Sequence, residues 1–240
     1  PPDGYTLLMG NIAHTINITL YRKLNYNFLK DFAAVSLLAS APNIVVVHPS
    51  VPAKSVKELV ALARARPGEL DYASSGSGSS AHLAAVLLLE LTRTKMNHIP
   101  YKGGGPAVVA LMSGEVSVGF ATTPSVIHHV KSGKLRALAV TGAKRSPAAP
   151  ELPTVSEAGV PGYEVSGWYG MLVPTGTPQD IISRLHAESI KVLKLPDVIE
   201  RMAVAGFEPV GSSPAEFTAF IRSEAEKWAK VVKAAGTRVD

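Results

Sequence analysis

The chain contains no cysteine, which removes disulfide scaffolds, thiolate zinc sites, iron–sulfur clusters and cysteine nucleophiles at once. The redox compartment stays open, because a chain without thiols is equally safe in reducing and oxidising surroundings. Charged residues are scarce, 18% of the 240 positions against about 25% in an average domain, while 46% are hydrophobic. A disordered chain would show the reverse balance. Long apolar runs are missing too. The longest, Leu83–Leu89, falls far short of the roughly 18 residues of a membrane span, so no membrane insertion is expected. Aromatic residues make up only 6% and gather in one place, Trp168 and Tyr169 between Gly167 and Gly170. That cluster reads as core packing at a domain junction or as a ligand contact.

The net charge is +5, and the excess lies in the middle of the chain. It is spread thinly, without the concentrated basic face or aromatic interleaving that nucleic acid requires, so nucleic-acid binding is set aside. A mild local excess suits a small anion better.

β-rich runs alternate with helical stretches. Strands are expected at Tyr5–Met9, Ile44–His48, Leu70–Ala73, Val116–Ala121, Arg136–Val140 and Tyr169–Val173. Ser55-Val-Lys-Glu58 reads as a capping box whose helix stops at Pro67-Gly68, and a second helix runs from Ser79–Ser80 towards Thr92. Pro106 and Pro124 each open a helix at a first-turn position, where a missing N–H is harmless. Thr177-Pro-Gln-Asp180 and Ser213-Pro-Ala-Glu216 repeat a cap–proline–acid signature. This alternation predicts an α/β fold of mostly parallel sheets flanked by helices.

The strongest local signal is Tyr72-Ala-Ser-Ser-Gly-Ser-Gly-Ser-Ser-Ala-His82, a glycine- and hydroxyl-rich turn between a strand and a helix. Such a junction presents unpaired backbone N–H groups and the positive end of a helix dipole to an anion. Ser75, Ser79 and Ser80 are candidate ligand donors; His82 reads equally as pocket or helix surface. The dinucleotide fingerprint is met only formally, since no acidic residue follows about 20 positions on, and no Walker lysine follows the glycines. A carboxylate is the simplest anion left. Pro100-Tyr-Lys-Gly-Gly-Gly-Pro-Ala107 is a second glycine-rich helix entry with a cation, Lys102, and Phe120-Ala-Thr-Thr-Pro124 brings Thr122 and Thr123 to a strand end. No Gly-x-Ser-x-Gly elbow, His-Glu-x-x-His pair or calcium loop is present. Neither a catalytic residue nor a metal or cofactor is expected.

Several runs together resemble one family: Pro2-Asp-Gly-Tyr-Thr-Leu-Leu-Met-Gly10, the serine–glycine turn, Pro100-Tyr-Lys-Gly-Gly-Gly-Pro-Ala107, Lys134-Leu-Arg-Ala-Leu-Ala-Val-Thr141, Pro153-Thr-Val-Ser-Glu-Ala-Gly159 and Gly167-Trp-Tyr-Gly-Met-Leu-Val-Pro174. The sequence resembles the tripartite tricarboxylate transporter receptors, the Bug proteins, from end to end. The resemblance implies a two-lobed periplasmic binding protein of type II, closing on a small carboxylate and delivering it to the permease subunits of a membrane transporter. By similarity, lobe 1 comprises residues 1–41 and 166–240, and lobe 2 residues 42–165. The family's ligand loops then carry Ser75, Ser79, Ser80 and His82; Tyr101, Lys102, Gly103 and Gly104; and, from lobe 1, His14 and Thr15. The site expected from all these arguments also includes Thr122, Thr123 and Trp168. Phe120-Ala-Thr-Thr lacks the Asp common in relatives, which disfavours an amino-acid ligand.

Members also carry a first strand and glycine-rich loop ahead of Pro-Asp-Gly-Tyr. Pro1-Pro-Asp-Gly4 leads straight into a strand here, so that segment and an export signal are expected upstream, with a monomer when complete. Two other readings stay open: a small α/β enzyme acting on an anion, and a ligand-sensing subunit for a signalling partner.

Overall fold

The computed structural model of the protein describes residues 1–234. In chain order its elements are β1 (Leu8–Asn11), α1 (Ile12–Leu20), β2 (Phe32–Val47), α2 (Val56–Ala65), β3 (Asp71–Ser74), α3 (Ser80–Thr92), β4 (Asn97–Pro100), α4 (Gly104–Ser113), β5 (Val118–Thr122) and α5 (Thr123–Lys131). There follow β6 (Arg136–Val140), β7 (Ser166–Pro174), α6 (Gln179–Leu193), α7 (Pro196–Val204), β8 (Glu208–Pro209) and α8 (Pro214–Ala234). The chain forms two compact units, one of Pro1–Ser40 with Trp168 onwards, the other of Ala41–Gly167. From residue 235 on, the lobe expected to run to 240 lies outside the described residues.

In the Ala41–Gly167 unit the strand order is β4–β3–β5–β2–β6. β3 lies parallel to both β4 and β5, joined through α3 and α4 as crossovers. β2 runs antiparallel to both of its neighbours here, β5 and β6. Ile44, Val45, Val46 and Val47 are all fully buried, as a central strand covered on both faces requires. Ile44 and Val46 pack with Ala107, Val108 and Leu111 of α4 and with Val126 and Ile127 of α5. That contact fixes the helix starts against the strand ends.

In the other unit the order is β1–β7–β2–β8, and β1–β7 and β2–β8 are antiparallel. α8 begins at a complete capping box. The Ser213 N–H and hydroxyl donate to one Glu216 carboxylate oxygen at 2.8 and 2.7 Å, and the Glu216 N–H donates back to Ser213 Oγ at 3.2 Å. The helix buries Phe217, Ile221 and Trp228, and its N-terminal aromatics pack edge-on to Trp168.

The α/β class holds, but the mostly parallel sheets are found only in β4–β3–β5. Alternation reveals crossover helices, which force parallel neighbours, yet it says nothing of a strand that enters a unit from elsewhere in the chain. β2 is such a strand. It is also far longer than the Ile44–His48 segment expected. α1, β4 and α7 were not anticipated: α1 has no charged residue to give it a polar face, and β4 is four residues long and ends in proline. Two caps differ as well. Ser55 accepts from the Glu58 N–H at 3.1 Å, but the Glu58 carboxylate takes the Lys54 N–H, one residue earlier than the box predicts. Thr177 donates back to the Pro174 carbonyl, and α6 starts after Pro178 with no side-chain cap.

Candidate functional site

The turn between β3 and α3 is built by its own side chains. Ser79 is the N-cap of α3, accepting from the His82 N–H at 3.2 Å while its hydroxyl donates to the Gly76 carbonyl at 2.7 Å. Ser74, almost fully buried, donates to the same carbonyl and accepts from the Gly76 N–H. Gly76 and Gly78 adopt φ of +125° and +78°, conformations that side chains rarely take. Two serines are thus spent as braces. Ser75 and Ser80 make no side-chain hydrogen bond among the described residues, and both line a pocket.

Beneath the turn lies a stack of rings. His82 stacks on His98 with centroids 4.1 Å apart and the rings nearly parallel, and His98 stacks on Tyr72 at 5.0 Å. The His82 Nδ1 accepts the Gly78 N–H at 3.1 Å, and the His98 Nε2 meets Ser74 Oγ at 2.6 Å. An acceptor Nδ1 requires a neutral ring. Burial, with the neighbouring His98 second, lowers the His82 pKa to about 4; burial lowers that of His98 too. His82 is 4% exposed, so it supports the loop from behind and does not line the pocket. Nor does Ser74–His98 resemble a nucleophile and its base, because the hydroxyl is already tied to both polar atoms of Gly76.

The pocket is a concavity of about 350 Å³, open mouth included, within the Ala41–Gly167 unit. Ser80 and Ala81 at the start of α3, Gly104 at the start of α4, and Thr122 and Ser125 at the start of α5 converge on it, with Phe120 and Leu111 below. None of the lining residues carries a charge. None of the three helices has an acidic residue in its first turn. Their N-terminal N–H groups and dipole ends are therefore left for a ligand, an arrangement suited to an anion.

At α4 the backbone itself is bare. Gly103 caps the helix at φ +110° without a side-chain bond, and Cβ atoms added at Gly103, Gly104 or Gly105 would meet nothing within 4 Å. No packing demand explains glycine at 104 and 105; open approach does. At α5 the Thr122 hydroxyl donates to Ser125 Oγ at 3.1 Å, and that hydroxyl donates to the Thr122 carbonyl.

Of the residues expected from sequence, the pocket brings together Ser75, Ser80, Gly104 and Thr122. Ser79 and Gly103 shape the loops as caps. The Tyr101 hydroxyl donates to Glu115 at 2.8 Å; burial and then that carboxylate push its pKa up to about 12, so it remains a donor. Lys102 is exposed and is not among the residues that line the pocket. Thr123 is fully buried and donates to the Pro42 carbonyl at 2.8 Å, a brace between α5 and β2. His14, Thr15 and Trp168 belong to the other unit. The His14 ring closes the cap of α1 with Asn11 and stacks on Phe28. Thr15 donates to the Ile12 carbonyl, and Trp168 is 1% exposed. Ser125 was not anticipated, although its place after Thr-Thr-Pro at a helix start was a usable signal. Among the described residues no cluster of three or more His, Asp or Glu could hold a metal ion.

The family model described as Tripartite tricarboxylate transporter family receptor matches residues 1–237. BugT of Bordetella pertussis is 36% identical over 239 residues, 99% of this chain and 73% of that protein. A protein of R. palustris solved with adipate is similar in structure, with TM-score 0.91 and 37% identity over 99% of this chain and 80% of that one. MatC from Rhodopseudomonas palustris, solved with bound malate, gives TM-score 0.85 and 30% identity over 97% of this chain and 80% of its own.

Proposed function

The chain belongs to the tripartite tricarboxylate transporter receptor family, and we propose that it is a periplasmic solute-binding receptor that takes a small carboxylate and delivers it to the membrane subunits of a transporter. One observation carries the ligand class: three helix N-termini without first-turn acids converge on a pocket lined by hydroxyls and bare backbone but by no charged side chain. A carboxylate accepts from such donors with both oxygens, and no fixed cation is needed. The adipate and malate held by the two similar proteins are of this class. The two compact units serve as the two lobes of the receptor, with Ser75, Ser80, Gly104 and Thr122 as the second lobe's contribution to binding. Lys102, exposed and two residues before Gly104, adds a cation close to that lobe's loops. Among the described residues no helix is long and apolar enough to cross a membrane.

The test is a thermal-shift screen of mono-, di- and tricarboxylates, with amino acids set against their deaminated analogues and mononucleotides as controls. A ligand at 100 times its Kd adds about 2.7 kcal/mol of stability. A shift with one carboxylate class, its ligand recovered unchanged, is the expected result. A response to nucleotides alone, or turnover of the bound acid, would replace the receptor with an enzyme.

A further inference from the structure

The β2 segment Pro42-Asn-Ile-Val-Val-Val47 carries one polar side chain, Asn43, and it is fully buried. Its backbone is well satisfied. The Asn43 N–H donates to Thr141 Oγ1 at 2.8 Å, and its carbonyl accepts the Thr141 N–H at 2.8 Å. The carboxamide is another matter. Among the described residues, neither Nδ2 nor Oδ1 has a hydrogen-bond partner. Two other buried side-chain atoms lack a partner, Trp168 Nε1 and His186 Nδ1, but each is a single ring nitrogen, and among the described residues Asn43 alone leaves both a donor and an acceptor unmet. The neighbouring hydroxyls are engaged elsewhere: Thr123 on the Pro42 carbonyl and Thr141 on the Val165 carbonyl at 2.6 Å. A buried carboxamide with both ends unmet is strongly disfavoured, and such groups in native proteins have a partner.

Asn43 stands directly opposite Thr122 in the antiparallel β2–β5 register. Opposed residues of an antiparallel pair project from the same face, with Cβ atoms about 4.5–5.5 Å apart. Thr122 lines the pocket. The partner that Asn43 lacks is therefore sought on the pocket side, one residue's width behind Thr122. Its chemistry is constrained. A carboxamide offers a donor and an acceptor side by side, so a bare carboxylate would satisfy Nδ2 and repel Oδ1. A group that both donates and accepts satisfies both.

We propose that Asn43 is a specificity-determining residue of the pocket, holding an O–H group that belongs either to the ligand, as a hydroxyl, or to a water bridging to it. The assignment rests on the carboxylate-receptor reading and adds to it a preference among carboxylates. Asn43→Leu, of similar volume and without polar ends, is compared with wild type by calorimetric titration of malate against succinate and of 2-hydroxyadipate against adipate. Each pair differs by one hydroxyl.

The expected result is a loss of more than tenfold in affinity. Loss confined to the hydroxylated member identifies the ligand's own hydroxyl, and equal loss for both members identifies a bridging water. Unchanged affinities together with a melting temperature raised by about 2–4 °C would show an idle polar group and overturn the assignment. Should Asn43→Leu not fold, the side-chain NH₂ signal of Asn43 in ¹⁵N-labelled wild type, assigned by its loss in Asn43→Asp, gives the answer. It shifts on adding the bound acid if the assignment holds and stays still if it fails. Wild-type protein that takes up no carboxylate at all, these four included, overturns the receptor reading and the assignment with it. That outcome is distinct from tight wild-type binding that Asn43→Leu leaves untouched.

Discussion

The helices that end at the pocket start differently from those that do not. α2, α6, α7 and α8 each place an acid in the first turn: Glu58, Asp180, Asp197 and Glu216. An acid there opposes the positive end of the helix dipole and is worth about 0.3–1 kcal/mol. α3, α4 and α5 carry none. Their caps do not make up the difference: Ser79 supplies one side-chain bond, while Gly103 and Thr122 supply none to the helix backbone. The pocket helices forgo a stabilisation that the other four take. The stability they give up remains as unspent attraction for an anion, which is how a site without a lysine or arginine in its wall can bind a carboxylate. α1 in the other unit also lacks a first-turn acid, and there the His14 ring closes a capping box.

The most direct way to break this contrast is to give a pocket helix what the others have. Ser80→Asp sets a carboxylate in the first turn of α3, facing the ligand. The change favours the helix but places like charges about 4 Å apart, a repulsion of about 4 kcal/mol near a protein surface. Titration should show roughly a thousandfold loss of carboxylate affinity with no fall in melting temperature. Retained binding would mean that the dipole ends are not what holds the anion.

Next in size is the support beneath the turn. His82 is held neutral, its pKa lowered from 6.5 to about 4 by burial first and by His98 second, while its Nδ1 accepts from Gly78. The unfolded chain takes up that proton near pH 6.5 and the folded chain only near 4. Stability from this group is thus complete above pH 6.5 and is lost as the pH falls towards 4, about 3 kcal/mol in all. Glu157, Glu188 and Glu216, also lowered, titrate below their ordinary value near 4.5 and act at the acid end of that window or beneath it. Melting temperature followed from pH 7 to 4 should fall steeply in wild type and less steeply in His82→Gln. Equal slopes would remove His82 from the account.

The same contrast explains what could be read in the sequence. Helix entries were legible because their punctuation is local: Ser79 before Ser80, Gly-Gly-Gly before Ala107, Thr-Thr-Pro before Ser125. The glycine and hydroxyl loops that form the pocket therefore stood out. What each hydroxyl does was not legible. Ser74, Ser75, Ser79 and Ser80 are chemically alike in the sequence, and only the fold turns two of them inward as braces and leaves two free. His82 and His98 are sixteen residues apart, on α3 and β4, and meet because the start of that helix packs against that strand, which no local pattern encodes. Strand direction failed for the same reason in β2, since hydrophobic alternation is identical whichever way a strand runs. Asn43 was not anticipated, because its position beside Thr122 depends on the β2–β5 register.

A smaller effect separates stability from binding at α4. Gly104 has an ordinary backbone conformation and open space where a side chain would go. Gly104→Ala should fold as well as wild type or slightly better, because alanine is the better helix former and the unfolded chain loses freedom. The added methyl group occupies the line of approach to the helix N–H groups, so affinity should drop about tenfold, roughly 1.4 kcal/mol. Gly103→Ala is the matched opposite. Its φ of +110° makes the substitution strained, so stability falls whether or not a ligand is present. A stable Gly104→Ala with undiminished affinity would show that the bare backbone is a feature of the turn alone.

The smallest effect is the converse of the first, tested on a helix outside the pocket. Glu58→Gln removes the first-turn charge of α2 and weakens the carboxylate's hold on the Lys54 N–H. It should lower stability by about 0.5 kcal/mol at low salt and by less as salt screens the dipole. Ligand affinity should not change, because α2 contributes nothing to the pocket lining. Paired with Ser80→Asp, it asks one question of two helix starts: whether a negative charge there serves the fold or opposes the ligand. If Glu58→Gln instead raised carboxylate affinity, the protein's field would act over its whole surface, and the local argument from three helix ends would give way to a long-range one.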